Sequence, residues 1–193
     1  MKYKDVLFYK IIRPILWFLF KIVYTPKVVG KKNIPTSGRV VLAGNHTSNL
    51  DAVLLITSTK RNIHFLAKDE LFHGFKKVIF NNLGLIPVNR KIHDHNALDS
   101  AIKYLEHDLV IGIFPEGTTR KGDNYLKPFK FGAVKMANVT NSQIVPFVIT
   151  GKYRLFSRTL KIEFLEPINI SDNLEKENEK LYNIINEKVD YKE

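Results

Sequence analysis

Short apolar segments alternate with amphipathic ones along most of the chain. Residues 39–43 and 109–114 are short and almost entirely apolar, which is typical of strands buried on both faces. Residues 94–107 and 172–189 instead place apolar side chains every three or four positions, which indicates helices with one buried face. This alternation predicts an α/β fold in which helices flank a mostly parallel central sheet.

The remaining predicted elements continue the same alternation. Further strands are expected at 63–67, 85–88, 144–149 and 160–165, and further helices at 50–56, 69–82 and 130–139. Asp172 and Glu175 are positioned to form a capping box for the last helix. Because no linker or repeat interrupts the pattern, residues 26–193 are expected to form one domain.

The first segment has a different pattern. Residues 6–24 are apolar at fifteen of nineteen positions, but three Lys or Arg side chains interrupt them, and Pro14 lies near the middle. The longest apolar run is shorter than the roughly 20 residues of a transmembrane helix, and the charges also disfavour a secretory signal. We expect residues 1–25 to form interfacial membrane-binding helices, with Pro14 starting a second helix or kinking one. The alternative is a helix packed on its own domain.

Charge and composition narrow the possible partners. The 193-residue chain carries a net charge of +11 and is 45% hydrophobic, enough apolar sequence for a buried core. Residues 1–170 hold 26 cationic and 12 acidic side chains, so this part attracts nucleic acid, anionic lipid or a phosphorylated substrate. The absence of cysteine excludes disulfides and a thiol nucleophile. The six histidines show no metal-ligand spacing, so neither a metal nor a cofactor is expected.

A polar segment, 45–51, directly follows the first predicted strand. A tight turn into a helix would place the Asp51 carboxylate against one ring nitrogen of His46 and raise the basicity of the other. Such a pair activates an alcohol without an enzyme nucleophile. The alternative is a structural histidine. His64 and Asp69 have the same spacing, but His64 lies inside an apolar strand, where a structural role is favoured.

A second polar segment, 114–120, follows the most apolar predicted strand. Gly117 permits a sharp turn, and Thr118 and Arg120 together with exposed amide groups suit a phosphate. Glu116 is placed to order this loop or to bind a substrate hydroxyl. The alternative is an ordinary turn with a surface ion pair. The chain has no Gly-x-Ser-x-Gly, Walker or dinucleotide-binding motif.

Together these segments resemble a known family. NHTSNLD at 45–51 and FPEGTTR at 114–120 are similar to motifs of the glycerolipid acyltransferases, specifically the short bacterial 1-acyl-sn-glycerol-3-phosphate acyltransferases. GLIPVNR at 84–90 and IVPF at 144–147 resemble two further motifs of that family, in the same order and spacing. The resemblance covers roughly residues 25–170.

The resemblance implies a role for each matched position. His46 would be the general base and Asp51 its partner, and Arg90 would bind the acceptor phosphate. The acceptor-binding loop would contain Glu116, Gly117, Thr118 and Arg120. Supporting positions would be Gly84, Ile86, Lys68, Lys130 and Pro146, the last shaping the acyl or donor pocket.

The resemblance also implies the reaction. An acyl group would pass from acyl-CoA or acyl carrier protein, as co-substrate, to the sn-2 hydroxyl of lysophosphatidic acid. The enzyme would be peripheral or monotopic at the cytoplasmic face of the cell membrane, on an anionic membrane surface and without nucleic acid as a partner. Two alternatives remain. One is another lysophospholipid or glycerol-phosphate acceptor, and the other is a non-catalytic basic module that binds membrane or nucleic acid.

Overall fold

A seven-stranded sheet forms the centre of the structure, which is a computed structural model describing residues 7–74, 85–88, 95–119 and 125–189. The strand order is β1-β7-β6-β2-β5-β3-β4, and only the β6 and β7 pair is antiparallel. The strands are β1 (Lys27–Val29), β2 (Val40–Gly44), β3 (Ile63–Lys68), β4 (Ile86–Val88), β5 (Val110–Ile113), β6 (Gln143–Thr150) and β7 (Lys161–Phe164). The predicted α/β fold with a mostly parallel sheet is therefore confirmed.

Helices cover both faces of this sheet. They are α1 (Leu7–Tyr24), α2 (Asp51–Ser58), α3 (His95–Glu106), α4 (Gly132–Thr140) and α5 (Leu174–Asn186). Alternate residues of β2 belong to two different cores: Val40 and Leu42 pack with α1 and α2, and Val41 and Ala43 pack with α3, α4 and α5. Burial on both faces explains why the strand sequences are continuously apolar rather than alternating.

The N-terminal segment forms a single helix that continues through Pro14. The expectation of a second helix starting at Pro14 is therefore wrong. Tyr9 and Phe20, on either side of the proline, are both buried in the core shared with α2. Arg13 adds a hydrogen bond from Nη1 to the carbonyl of Thr59 at 2.5 Å. Packing on both sides of the proline offsets the helix-breaking cost of its missing N–H.

Two local expectations differ from the structure, and one strand was missed. Residues Asp69–Phe72 form a short 3-10 helix rather than the start of an α-helix, and Gly74 follows with a φ of 59° that ends helical geometry. The remainder of that predicted helix, from 75 to 82, lies outside the described residues. The predicted capping box of α5 is wrong because Asn173, not Asp172, accepts the N–H of Lys176 at 3.1 Å. The short strand β1 was not predicted.

No helix in the described residues combines the length and apolar character needed to cross a membrane.

Asn45 joins the end of β2 to β6. Its side chain is fully buried, donates to the carbonyl of Ile149 at 2.8 Å and accepts the N–H of the same residue at 2.7 Å. These side-chain bonds replace the backbone pairing between β2 and β6 where that pairing ends at Gly44. They therefore fix the point at which the chain turns into the 46–51 segment. The amide of Asn45 therefore positions every residue that follows it in that segment.

Replacing Asn45 with Ala is expected to destabilise the protein by about 2–4 kcal/mol, because two buried backbone groups of Ile149 lose their partners. Urea unfolding followed by circular dichroism measures this difference. Gln143→Ala is the matched control, since that side chain makes one exposed hydrogen bond, to Asn169, and should change stability by less than about 0.5 kcal/mol. An Asn45→Ala protein as stable as the control would contradict the proposed link.

Candidate active site

Three polar segments meet at one edge of the sheet. They follow β2, β5 and β6, which are adjacent and parallel, so their carboxyl ends lie side by side. His46 comes after β2, Glu116 comes after β5, and Tyr153 comes after β6. The order of the strands thus brings together residues that are 70 and more than 100 positions apart.

The carboxylate of Asp51 is the centre of this edge. Asp51 is the first residue of α2 and is fully buried. Its Oδ2 accepts hydrogen bonds from Nδ1 of His46 at 2.9 Å and from the N–H groups of Thr47 and Ser48 at 2.5 and 2.8 Å. The start of a helix also favours a negative charge there. Because Nδ1 of His46 donates to this oxygen, its Nε2 carries the lone pair in the neutral ring.

The ring of His46 is held in place on one side by an aromatic contact. It stacks on Phe114 with ring centroids 4.1 Å apart and an interplanar angle of 13°. The side chain retains 13% of its accessible surface, so the ring is not sealed from solvent. In the described part of the chain, no hydrogen bond involves Nε2. A fixed ring with an accessible lone pair is the arrangement required of a general base.

Glu116 joins segment 114–120 to segment 45–51. Its buried carboxylate accepts the backbone N–H of His46 through Oε1 at 2.7 Å and that of Lys127 through Oε2 at 3.1 Å. Of the two roles considered for Glu116, these bonds support ordering of the loop. The next residue, Gly117, adopts a φ of 72°, and a Cβ there would lie 3.0 Å from Cε of Lys130. The glycine therefore allows both the turn and the close approach of a lysine side chain.

The other predicted positions are distributed as follows. Thr118 is exposed in the same loop, and Pro146 is buried in β6 opposite Ala43 of β2. Ile86 is buried in β4, at the far edge of the sheet, so it does not join the cluster around His46. Lys68 ends β3, and its side chain is not described. Gly84, Arg90 and Arg120 lie outside the described residues.

Tyr153 is a site residue that the sequence did not reveal. Its hydroxyl donates to Oδ1 of Asp51 at 2.6 Å, beside the 3.0 Å bond from Oγ1 of Thr47. Burial raises the pKa of Tyr153 well above its usual range, and the negative charge of Asp51, the hydrogen bond to it and Tyr24 act in the same direction. The ring also packs edge-on against Phe20 and Tyr24 of α1, with centroids 6.2 and 5.6 Å away. Tyr153 thus connects α1 to the buried carboxylate.

His64 has the structural role that its position in an apolar strand predicts. It is buried within β3, and its ring lies 4.5 Å from that of Tyr104 on α3.

Comparison with known proteins gives a consistent set of matches. The family model described as Acyltransferase matches residues 25–150, which include His46, Asp51 and Glu116. A 1-acyl-sn-glycerol-3-phosphate acyltransferase of Borreliella burgdorferi is 33% identical over 136 residues, which are 69% of this chain and 54% of that protein. Its counterpart in Bacillus subtilis is 30% identical over 152 residues, which are 76% of this chain and 75% of that protein.

This chain therefore spans about half the length of the first relative and three quarters of the second. Among solved structures, a 1-acyl-sn-glycerophosphate acyltransferase from Thermotoga maritima matches with a TM-score of 0.75 and 21% identity. The match covers 93% of this chain and 78% of that one. It shows that the two proteins share a fold.

The buried hydrogen bond of Tyr153 predicts a dependence of stability on alkaline pH. A tyrosine in the unfolded chain ionises near pH 10, whereas folded Tyr153 stays protonated above that pH. Unfolding then releases a proton, so this contribution is present below about pH 10 and is lost as the pH rises further. Between pH 8 and pH 11, the free energy of unfolding of the Tyr153→Phe variant should therefore fall by about 1.4 kcal/mol less than that of the wild type.

Urea unfolding at the two pH values measures this difference. Burial also raises the pKa of Tyr9 to about 12. Tyr9 is present in both proteins, so its contribution to the pH dependence cancels in the comparison. The matched control is Tyr125→Phe, since Tyr125 is exposed and should follow the wild type. Identical losses in the Tyr153→Phe and Tyr125→Phe variants would show that Tyr153 is not held neutral by the fold.

Proposed function

The chain belongs to the acyltransferase family, and we propose that it moves an acyl group from a thioester to the sn-2 hydroxyl of 1-acyl-sn-glycerol-3-phosphate, giving phosphatidic acid. The observation that carries the proposal is the hydrogen-bonded pair of His46 and Asp51 at the carboxyl edge of the sheet. The names of the relatives from Borreliella burgdorferi and Bacillus subtilis support the choice of acceptor.

In this proposal His46 acts as a general base. Its Nε2 takes the proton of the acceptor hydroxyl as the oxygen attacks the thioester carbonyl. The imidazolium that forms is stabilised by the carboxylate of Asp51, 2.9 Å from Nδ1. Collapse of the tetrahedral intermediate breaks the C–S bond, and the proton passes from Nε2 to the departing thiolate. Because the thioester is already activated, the reaction uses no covalent enzyme intermediate and no cofactor beyond acyl-CoA or acylated acyl carrier protein as co-substrate.

Binding of the acceptor phosphate is assigned to cationic side chains of segments 84–90 and 114–120 and to Lys130. Glu116 orders the loop through its two backbone hydrogen bonds, and Lys130 lies against Gly117, which brings a positive charge to the loop. We assign direct phosphate contacts to Arg90 and Arg120 from their places in the family motifs. Two guanidinium groups fit a phosphate better than ammonium groups because they bind in a bidentate manner.

The site is proposed to operate at a membrane. One face of α1 packs into the core, yet five apolar side chains on another face are 50–57% exposed: Ile11, Ile15, Phe18, Leu19 and Ile22. Their helical spacing defines a continuous apolar stripe, and Lys21 lies 4.8 Å from the ring of Trp17 beside it. A helix with a free apolar stripe and flanking cations fits an anionic bilayer surface. We propose peripheral attachment of residues 1–25 to the cytoplasmic face.

Replacing His46 with Ala is expected to reduce phosphatidic acid formation by at least about 100-fold, because a general base typically contributes 10²–10⁴ to the rate. The rate is measured with acyl-CoA or acylated acyl carrier protein as the donor and lysophosphatidate in mixed micelles as the acceptor. The control is His64→Ala, which removes a buried structural imidazole. Assayed below its melting temperature, that variant should stay within about threefold of the wild type. Near-normal turnover by the His46→Ala protein would show that His46 is not the general base.

Replacing Arg90 with Ala is expected to raise the KM for lysophosphatidate by about 10–100-fold, the range expected for a lost charged hydrogen bond. Activity on a neutral monoacylglycerol should change little. The matched control is Arg39→Ala, since this arginine pairs with Asp108 at 3.2 Å just before β2, away from the carboxyl edge. If activity on the neutral acceptor falls as much as activity on lysophosphatidate, or if the wild type uses both acceptors equally well, the phosphate-binding role of Arg90 is wrong.

A further inference from the structure

The loop at 151–160, which joins β6 to β7, exposes two large apolar side chains at its tip. Leu155 is 66% exposed and Phe156 is 77% exposed, more than any apolar side chain of α1 between residues 9 and 24. We use the name loop tip for these two residues. Lys152, Arg154 and Arg158 surround them in sequence, so an apolar tip is flanked by three cations.

The loop tip is not explained by the stability of the fold. Phe156 adopts a φ of 56°, the left-handed region that a bulky side chain rarely occupies. Glycine or asparagine would fit that backbone with less strain, and a polar residue would suit its exposure. A phenylalanine that is both strained and exposed points to a function outside the folded domain.

The backbone attaches the loop tip to the end of α1. The N–H of Phe156 donates to the carbonyl of Val23 at 2.7 Å, in the last turn of that helix. Val23 is next to Ile22, the final member of the exposed apolar stripe. The tip therefore lies beside the C-terminal end of α1, where the stripe ends, and its three cations add to those along α1.

We propose that the loop tip is a second membrane contact, inserting Leu155 and Phe156 into an anionic phospholipid bilayer beside α1. The apolar tip matches the boundary between headgroups and acyl chains, and the flanking cations match the lipid phosphates. The inference rests on the membrane attachment proposed above. Tyr153 of the same loop donates to Asp51, so docking of the tip also holds the carboxyl edge of the sheet towards the bilayer that contains the substrate.

The first test removes the apolar tip without straining the backbone. In the double variant Leu155→Ser/Phe156→Asn, asparagine tolerates the left-handed conformation, so the melting temperature should not fall. Binding to sedimenting vesicles of phosphatidylcholine and phosphatidylglycerol is expected to weaken at least about tenfold. The control is Val139→Ser, which removes an exposed apolar residue from α4, on the opposite face of the sheet. Wild-type affinity in the double variant would overturn the proposal.

The second test reports insertion directly and keeps an apolar side chain at position 156. The chain has a single tryptophan, Trp17, so a Trp17→Phe background allows a new probe. In that background, Phe156→Trp should show a blue-shifted emission on adding vesicles and quenching by brominated lipid, whereas Val139→Trp should show neither. An unchanged spectrum for the Phe156→Trp protein on vesicles that it binds would overturn the proposal.

A third measurement separates this inference from the proposed reaction. Short-chain, monomeric lysophosphatidate and acyl-CoA allow turnover without a membrane, so the double variant should retain wild-type turnover on them. Loss of vesicle binding with that turnover retained supports the loop tip as a membrane contact. If the wild type inserts its tip but transfers no acyl group to any acceptor, the proposed function fails and the membrane contact stands.

Discussion

The buried carboxylate of Asp51 is the group on which the arrangement of this protein depends. A fully buried, unpaired carboxylate would cost several kcal/mol, and here five hydrogen bonds offset that cost. They come from the backbone and hydroxyl of Thr47, the backbone of Ser48, the ring of His46 and the hydroxyl of Tyr153. Because the donors belong to two separate segments, neither segment can shift without leaving the charge unsatisfied. The carboxylate thus holds the edge of the sheet together as well as orienting the imidazole.

The parallel order of β6, β2 and β5 makes this arrangement possible. In the register of the sheet, Ala43 of β2 lies opposite both Ile113 of β5 and Pro146 of β6, so β2 and β5 end at a similar level while β6 continues to Thr150. Asn45 then ties the end of β2 to β6, and Glu116 ties the loop after β5 to His46. Both side chains are buried, and hydrogen bonds of this kind offset the cost of removing a polar group from water.

The sequence was informative where the signal is local or periodic. Strands buried on both faces read as apolar runs, and His46 and Asp51 lie within one polar segment, so both could be predicted. Tyr153 could not, because its bond to Asp51 spans 102 residues and a single tyrosine in a loop has neither period nor spacing. The start of α5 was misplaced by one residue, since Asn173 and Asp172 are both good caps and only packing chooses between them. Continuation of α1 through Pro14 likewise depends on tertiary contacts.

The proposed transfer of an acyl group from a thioester donor to a lipid hydroxyl sets two demands, and one set of contacts in this structure serves both. The donor is already activated, so the enzyme needs a base in a fixed orientation rather than a nucleophile. The proposed acceptor is a lipid, so in this proposal the base must also be presented at a bilayer. Tyr153 serves both demands, since its hydroxyl holds Asp51 while its ring packs on Phe20 and Tyr24 of α1. The helix with the exposed apolar stripe and the carboxylate that orients the base therefore share one side chain. Any tilt of α1 relative to the sheet must disturb the aromatic packing around it before reaching the imidazole.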